Sequence, residues 1–476
     1  MIANRLRQTA CNACKKEYRD RIALISGSER LTYAELYDRA DAAAGLLKRQ
    51  GTAPVILYGH KESAMFVSVL ACIFAGRTYV PVDRFTPEIR IRKIIAASGA
   101  SLLLSADGTT FPGIECCTLP ELDRYSSHPP LEPDSDIVYI LFTSGTTGEP
   151  KGVPVSKTNL DSFLRWLTAF PPLSEYRRIT VMNQASLSFD LSVADIFYAF
   201  CGGHTLAALD RQTQEDYSGI FTFLAENRVN LCVVTPTFLK LCLLNPDFRA
   251  ENFPELKCVY FCGERLEQQT AGKLHERFPD VIMINAYGPT EAASAVSAVV
   301  IDENILRDVL LPVGTYGHFA TDIFIKDDEI VLRGDSVFGG YLDGEPGGHY
   351  LKDGVNSYRT GDLGFFRDGY LYCRGRKDDQ IKYMGYRIEL ADIERNLAEI
   401  PGVRECAVIA KRNGDTVKSI HAFVVHETGT KTDAAQLKSA LKQRIPDYMI
   451  PKTIRFLDRL PVSANGKTDR KALNEL

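Results

Sequence analysis

Along the first hundred or so positions, two hydrophobic rhythms alternate. Unbroken apolar runs at Pro54–Tyr58, Tyr79–Val82 and Ser101–Ser105 read as strands, and apolar residues recur at helical spacing over 32–50, 62–75 and 87–98. The alternation continues from 136 to 300, where Ile137–Phe142, Ile179–Asn183, Leu231–Thr235, Cys258–Cys262 and Val281–Asn285 read as strands separated by helical stretches. Runs that are apolar at every position belong to strands covered on both faces, so the pattern predicts an α/β fold. After residue 311, short strands such as Glu329–Ser336 and Asp368–Gly375 alternate with glycine-rich turns, which predicts a small β-rich subdomain. From Gly375 the chain reads as a basic turn and a strand, a helix over 389–399, strands at Cys406–Ala410 and Ile420–Val425, and a helix over 433–444. That is a separate α+β domain, with the boundary placed at Asp378: a large multi-subdomain N-terminal domain over 1–377 and a small mobile C-terminal domain over 378–476.

Composition narrows the class. A chain of 476 residues with 45% hydrophobic and 24% charged positions is globular, which excludes a disordered, collagen-like or coiled-coil chain. Lys and Arg number 56 against 60 Asp and Glu, a formal charge of -4, which gives no general attraction to nucleic acid. The longest apolar stretch, around Val67–Ala75, is too short for a membrane span, so no membrane insertion is expected. Twelve scattered cysteines and an N-terminus without a signal-peptide pattern predict a reducing, cytoplasmic setting. Cys11 and Cys14 form a lone C-x-x-C with no second ligand pair at zinc spacing, and read as free thiols.

The sharpest chemical signal is LFTSGTTGEPKGV at 141–153. Thr143, Ser144, Gly145, Thr146, Thr147 and Gly148 follow a strand and supply the backbone N–H and hydroxyl donors that wrap phosphate oxygens, and Lys151 adds a cation. It is not a Walker A loop, because Pro150 stands where the second glycine belongs and a strand follows instead of a helix. The loop resembles the phosphate-binding signature of the adenylate-forming superfamily: acyl-CoA synthetases, luciferases and nonribosomal-peptide adenylation domains. AGRTYVPVD (75–83), NAYGPTE (285–291), YRTGDL (358–363), GRKDDQIKYMGYRIE (375–389) and NGKTDRK (465–471) resemble the same family's other motifs in the same order.

The resemblance implies ATP and Mg²⁺ as cofactors and a set of roles. Thr290 would contact the α-phosphate, Glu291 would hold the metal, and Tyr287 would lie against adenine with Asn285, Ala286, Gly288 and the Gly263–Glu264 turn nearby. Asp362 would take the ribose hydroxyls, assisted by Arg376. Alone, it would read as a turn-capping Asp. Lys467, by itself a surface lysine after an Asn-Gly turn, would bridge the substrate carboxylate and the α-phosphate as the catalytic cation. Asp378 would be the hinge for a second, thioester-forming orientation, in which Gly385 lines the thiol path.

The acyl pocket is read in the same way. Phe189 stands at an aromatic gate and Asp190 at the position that pairs with a substrate α-ammonium, an arrangement that would leave a buried charge uncompensated against a fatty acid. The other matching positions are Leu191, Ala194, Val233, Tyr260, Cys262, Ala286, Ser294 and Ala295, which carry no second charge. A small uncharged amino acid fits, and the strings around Asp190 and Cys262 resemble the members that load D-alanine onto a carrier protein. The alternatives are another small or medium amino acid and, behind it, an acyl- or aryl-CoA ligase. No carrier module follows Lys467, so the resemblance implies a phosphopantetheinylated carrier protein acting in trans.

Overall fold

The computed structural model describes residues 16–118, 135–145, 149–315, 321–413, 416–427, 429–430, 432–461 and 468–476. Two sheets organise residues 22–301. A six-stranded sheet runs in the order Glu115–Thr118, Leu102–Ser105, Val55–Gly59, Tyr79–Asp83, Ile137–Thr143, Lys151–Ser156, parallel throughout except for its last pair. An eight-stranded sheet runs Ser297–Ile301, Ile282–Tyr287, Cys258–Phe261, Leu231–Val234, Thr180–Asn183, Thr205–Ala208, Ile22–Ser26, Glu29–Thr32, parallel inside and antiparallel at each edge.

The two-residue period of the strands sorts their side chains. Val55 and Leu57 face one core while Ile56 and Tyr58 face another; Val233 and Tyr260 likewise point opposite to Val234 and Phe261. The inner core holds Tyr33–Leu47, Ser63–Ala75, Lys157–Ala169 and Leu191–Gly202 between the sheets. Ser63–Ala75 is buried along almost its whole length, the burial that an all-round apolar helix requires. Glu88–Ser98 closes the outer face of the six-stranded sheet, and Tyr217–Glu226, Pro236–Cys242 and Gln268–Arg277 close that of the eight-stranded one.

An antiparallel sheet follows, in the order Gly314–Thr315, Tyr370–Arg376, Val355–Arg367, Glu329–Gly334, Thr321–Lys326, with His349–Lys352 paired to Val355–Arg367. Here the sequence expectation needs correcting. Gly375 and Arg376 are strand, not turn, because Asp362 pairs with Arg376 and Leu363 with Gly375 across the ladder. Long-range pairing overrides local turn composition. The remaining elements are the hairpin Gln380–Tyr383/Tyr386–Glu389, the helix Leu390–Ala398, the sheet Val403–Asn413, Thr416–His426, Thr453–Phe456, and the helices Ala434–Lys442 and Arg470–Glu475. They bury two cores of their own, one on each face of the three-stranded sheet. No described helix is long and apolar enough to cross a membrane. No disulfide joins the ten described cysteines, and Cys11 and Cys14 lie outside the described residues.

One lysine ties the two sheets together. Lys61, just past the strand Val55–Gly59, is 3% exposed and donates from Nζ to the carbonyls of Asn183 (3.0 Å), Gln184 (2.7 Å) and Leu209 (2.8 Å). Its own carbonyl accepts from Ser26 Oγ at 2.5 Å. Burial pushes its pKa down to about 7, while Asp195, itself fully buried and held by Asn183 Nδ2, favours the ammonium. These bonds fix the start of the 184–190 loop that leads to the pocket. Lys61→Met keeps the volume but takes the side-chain donor from the Gln184 and Leu209 carbonyls and one of two donors from that of Asn183, and should lower the unfolding free energy by roughly 3 to 5 kcal/mol. Denaturant titration checks this, and a loss below about 1 kcal/mol would mean that Lys61 is not the tie between the sheets.

Candidate active site

Asp190 stands immediately before the helix Leu191–Gly202, yet its carboxylate caps nothing there. It instead accepts a 2.6 Å hydrogen bond from the hydroxyl of Thr290, a hundred positions along the chain. The hydroxyls of Tyr139 and Tyr260, both close enough to Asp190 to feel its charge, are buried without a hydrogen-bond partner. A buried carboxylate beside unsatisfied hydroxyls is a polar pocket built for a small ligand with hydrogen-bonding groups of its own. Burial raises the Asp190 pKa, opposed by the Thr290 bond and the charge of Lys382.

Cys262, just past the strand Cys258–Phe261, lines the cavity around Asp190, while Val233 and Tyr260 are paired in register in the sheet behind it and line none of the cavities described here. Cys262 Sγ lies 3.9 Å from the Ser294 carbonyl. Ala194 is one helical turn beyond Asp190, and Ala194, Val233, Tyr260, Ser294 and Ala295 are all buried. Ser294 and Ala293 adopt φ of +89° and +55°, left-handed values that strain non-glycine residues just after the Thr290–Ala292 turn. Gly288 is required, since a Cβ there would lie 2.5 Å from Ala295 Cα.

Next to this pocket is a cavity of about 160 Å³ lined by Gly263, Glu264, Ala286, Tyr287, Asp362 and Arg376, with Asn285 and Gly288 also on its wall. Asp362 sits inside the strand Val355–Arg367 and caps no turn: it accepts from Tyr287 Oη (2.7 Å) and Arg376 Nη1 (2.8 Å). The same Arg376 is bidentate on Asp378, at 2.7 Å for each bond. That guanidinium holds the Asp378 carboxyl below its ordinary pKa, against the effect of burial. The proposed ribose ligand and the proposed hinge therefore share one cation.

The hairpin Gln380–Glu389 closes the site from the C-terminal side. Met384 and Gly385 both have positive φ, the geometry of a two-residue type I′ turn. Gly385 N–H donates to Glu264 Oε1 at 2.7 Å, and a Cβ on Gly385 would come within 2.6 Å of Thr235 Cγ2. Phe189 meets the Tyr386 ring edge-on at 4.5 Å, and Tyr386 stacks on Tyr448 at 3.6 Å. A cavity of about 460 Å³ runs from Asp190, Phe189 and Leu191 past Thr235, Gly263 and Gly385. Lys382 lies 5.9 Å from the Tyr287 ring centre and lines the space around both Asp190 and Asp362.

Of the glycine- and threonine-rich loop expected to hold phosphate, Thr146, Thr147 and Gly148 lie outside the described residues, as does Lys467. Ser144 Oγ donates to the Arg387 carbonyl and accepts from Glu389 N–H, each at 3.0 Å, and the Thr143 carbonyl faces Arg90 at 3.5 Å. Gly145 is buried next to them, and Lys151 Nζ sits 5.3 Å from the Tyr341 ring centre. Glu291 is fully buried and accepts from Arg387 Nη1 at 2.7 Å on both oxygens and from Tyr341 Oη at 2.5 Å. No cluster of metal-ligating residues exists among the described residues, so a metal here would have Glu291 and otherwise phosphate and water oxygens. That donor set fits Mg²⁺.

Tyr139, Tyr341, Lys382 and Arg387 are the residues that sequence reasoning did not single out. Lys382 and Arg387 lie inside the 375–389 motif, at positions where a cation alternates with apolar residues along a strand.

Comparison with known proteins agrees with this architecture. The AMP-binding enzyme profile matches residues 11–342, and that of the AMP-binding enzyme C-terminal domain matches 392–467. D-alanine--D-alanyl carrier protein ligases are 39% identical in Bacillus velezensis, covering 94% of each chain, and 36% identical in Staphylococcus epidermidis, covering 97% of each. Among solved structures, the Vibrio cholerae adenylation domain AlmE, in complex with glycyl-adenosine-5'-phosphate, shares the fold at a TM-score of 0.85 and 22% identity, covering 99% of this chain and 97% of its own. The o-succinylbenzoate CoA synthetase of Bacillus subtilis does so at 0.83 and 22%, covering 99% and 98%.

The raised Asp190 carboxyl makes a signed prediction. Because the fold favours its neutral form, stability is lost as pH rises from the unfolded-state value through the raised one. Asp190→Asn cannot ionise, so without ligand it should melt above wild type at pH 7.5, with the gap closing towards pH 4. The same change should weaken amino-acid binding by roughly 100-fold while nucleotide affinity is kept. Thermal melts across pH and ligand titrations check both, and a variant less stable at every pH would contradict the assignment.

Proposed function

The chain belongs to the AMP-binding enzyme family, and from that premise we propose that it activates D-alanine with ATP and Mg²⁺ and passes it to the phosphopantetheine thiol of a carrier protein. In the first step a carboxylate oxygen attacks the α-phosphorus and the bond to pyrophosphate breaks. In the second, the thiol sulfur attacks the acyl carbon and AMP leaves. The observation that carries the reading is the buried carboxylate of Asp190, which serves no cap and faces Thr290 at the junction of the two cavities. It would pair with the substrate ammonium, and the names of the relatives supply the choice of D-alanine.

The other roles follow as proposals. Tyr287 and Ala286 bound the adenine cleft, Asp362 takes the ribose, and Thr290 turns its hydroxyl to the α-phosphate when the ammonium replaces it on Asp190. Mg²⁺ bound at Glu291 would neutralise the departing pyrophosphate. Lys467 supplies the cation of the first step. The domain boundary falls at Asp378, since separate cores lie on either side of it and Arg376 grips it. The orientation in the structure suits the second step, with Gly385 packed against Gly263 and Thr235 where the thiol would enter. The lack of a disulfide among the ten described cysteines supports a cytoplasmic location.

Pyrophosphate exchange across a panel of D- and L-amino acids tests the substrate. D-Alanine should lead, with L-alanine lower by roughly 10- to 200-fold, the discrimination available to one methyl in an apolar pocket. A preference for L-alanine or for valine or leucine would overturn the choice while leaving adenylation standing. Lys467→Ala should lower adenylation by about 10² to 10³ and leave thioester formation from supplied adenylate far less affected. Equal loss in both half-reactions would contradict its role.

A further inference from the structure

The C-terminal hairpin puts a cation on the carboxylate proposed to hold the metal. Arg387 Nη1 lies 2.7 Å from each oxygen of Glu291, a residue with no exposed surface. Tyr341 Oη takes a further position on Oε1 at 2.5 Å. The arginine is itself held in register, since Ser144 Oγ bonds its carbonyl and the N–H of Glu389, two residues on. One helix further along, Asp392 meets Arg90 of the large domain at 3.3 Å. Arg387 is thus one of the residues that seat the small domain, and the only one of these that occupies the metal carboxylate.

We propose that Arg387 and the nucleotide's Mg²⁺ compete for Glu291, so that the C-terminal domain seats in the orientation seen here only once the metal has left with pyrophosphate. The proposal rests on the reading of Glu291 as the metal ligand. A guanidinium in contact with both oxygens leaves no room for a second cation, and two cations on one buried carboxylate repel strongly in a medium of low dielectric. Exclusion of this kind is reciprocal: the factor by which the seated hairpin weakens metal binding is the factor by which metal weakens seating. Arg387 borders the small cavity around Asp190 but makes its side-chain bonds to Glu291, and acts as a positioning residue. It orders the half-reactions, because the thiol-accepting orientation draws on a carboxylate that is free only after adenylate has formed.

The test uses the full chain and α,β-methylene-ATP, whose α–β linkage cannot be cleaved. Hydrogen exchange of the 382–389 amides reports seating, and Mn²⁺ titration followed by electron paramagnetic resonance reports metal affinity. In wild type, adding Mg²⁺ to the analogue-bound protein should speed exchange of the hairpin by roughly tenfold. Arg387→Ala should exchange fast without metal, respond little to it and bind Mn²⁺ more tightly than wild type, which mere loss of a structural contact would not produce. Arg387→Lys should restore the metal response. Wild-type exchange indifferent to Mg²⁺, or unchanged Mn²⁺ affinity in Arg387→Ala, overturns the competition. Mn²⁺ affinity unchanged in Glu291→Gln would instead remove the metal-ligand reading, and the proposal with it. Failure of the analogue to bind at all would remove the nucleotide reading as well.

Discussion

A carboxylate taken out of water must be met by a donor or give up its charge, and this chain buries several of them together. Asp190 is met by Thr290, Asp362 by Tyr287 and Arg376, Glu291 by Arg387 and Tyr341, and Asp195 by Asn183. In most of these pairs the donor comes from a distant part of the chain. Satisfying the carboxylates therefore brings the eight-stranded sheet, the antiparallel sheet and the C-terminal hairpin together, and Lys61 ties in the six-stranded sheet. The site is where these pieces meet, and its electrostatics are part of what holds them there.

The same demand explains why the site can change state. On the proposed roles, two of these donors stand where a ligand group would bind: the Thr290 hydroxyl in place of an ammonium on Asp190, the Arg387 guanidinium in place of a metal on Glu291. Ligand binding then exchanges one satisfied arrangement for another and never strips a buried charge bare. Arg376 extends this to the proposed hinge, because a guanidinium committed at once to Asp362 and Asp378 would make the cleft around Asp362 sensitive to how the backbone turns at 378.

Much of the fold was legible because it is written in local periodicity. The predicted helix over 62–75 is Ser63–Ala75, and that over 433–444 is Ala434–Lys442. The grouping of Tyr287, Asp362 and Arg376, proposed to bind the nucleotide, was legible from motifs, since they occur in recognisable strings and the structure brings them to one cavity. Legibility ended where a residue's meaning depends on a partner far along the chain. Arg387 was quoted within a motif and given no role, because nothing nearby announces Glu291, 96 positions away. Tyr139 looked like any core tyrosine until its hydroxyl proved to lack a partner near Asp190. The turn expected at Gly375 failed for the same reason, as its ladder partner is Leu363.

The eight-stranded sheet also has a consequence for how the chain comes into being. Its strand Ile22–Ser26 is made well before Thr205–Ala208, to which it hydrogen-bonds with Leu24 opposite Leu206. At synthesis rates of about 5 to 20 residues per second, the early strand waits on the order of ten seconds or more for its neighbour to emerge. Through that interval Ala23, Leu24 and Ile25, all buried in the finished protein, have the antiparallel Glu29–Thr32 and the helices Tyr33–Leu47 and Ser63–Ala75 beside them but lack their parallel neighbour. Such a sheet closes late, across a large sequence separation, which leaves an unpaired strand edge open on the growing chain until the neighbour arrives.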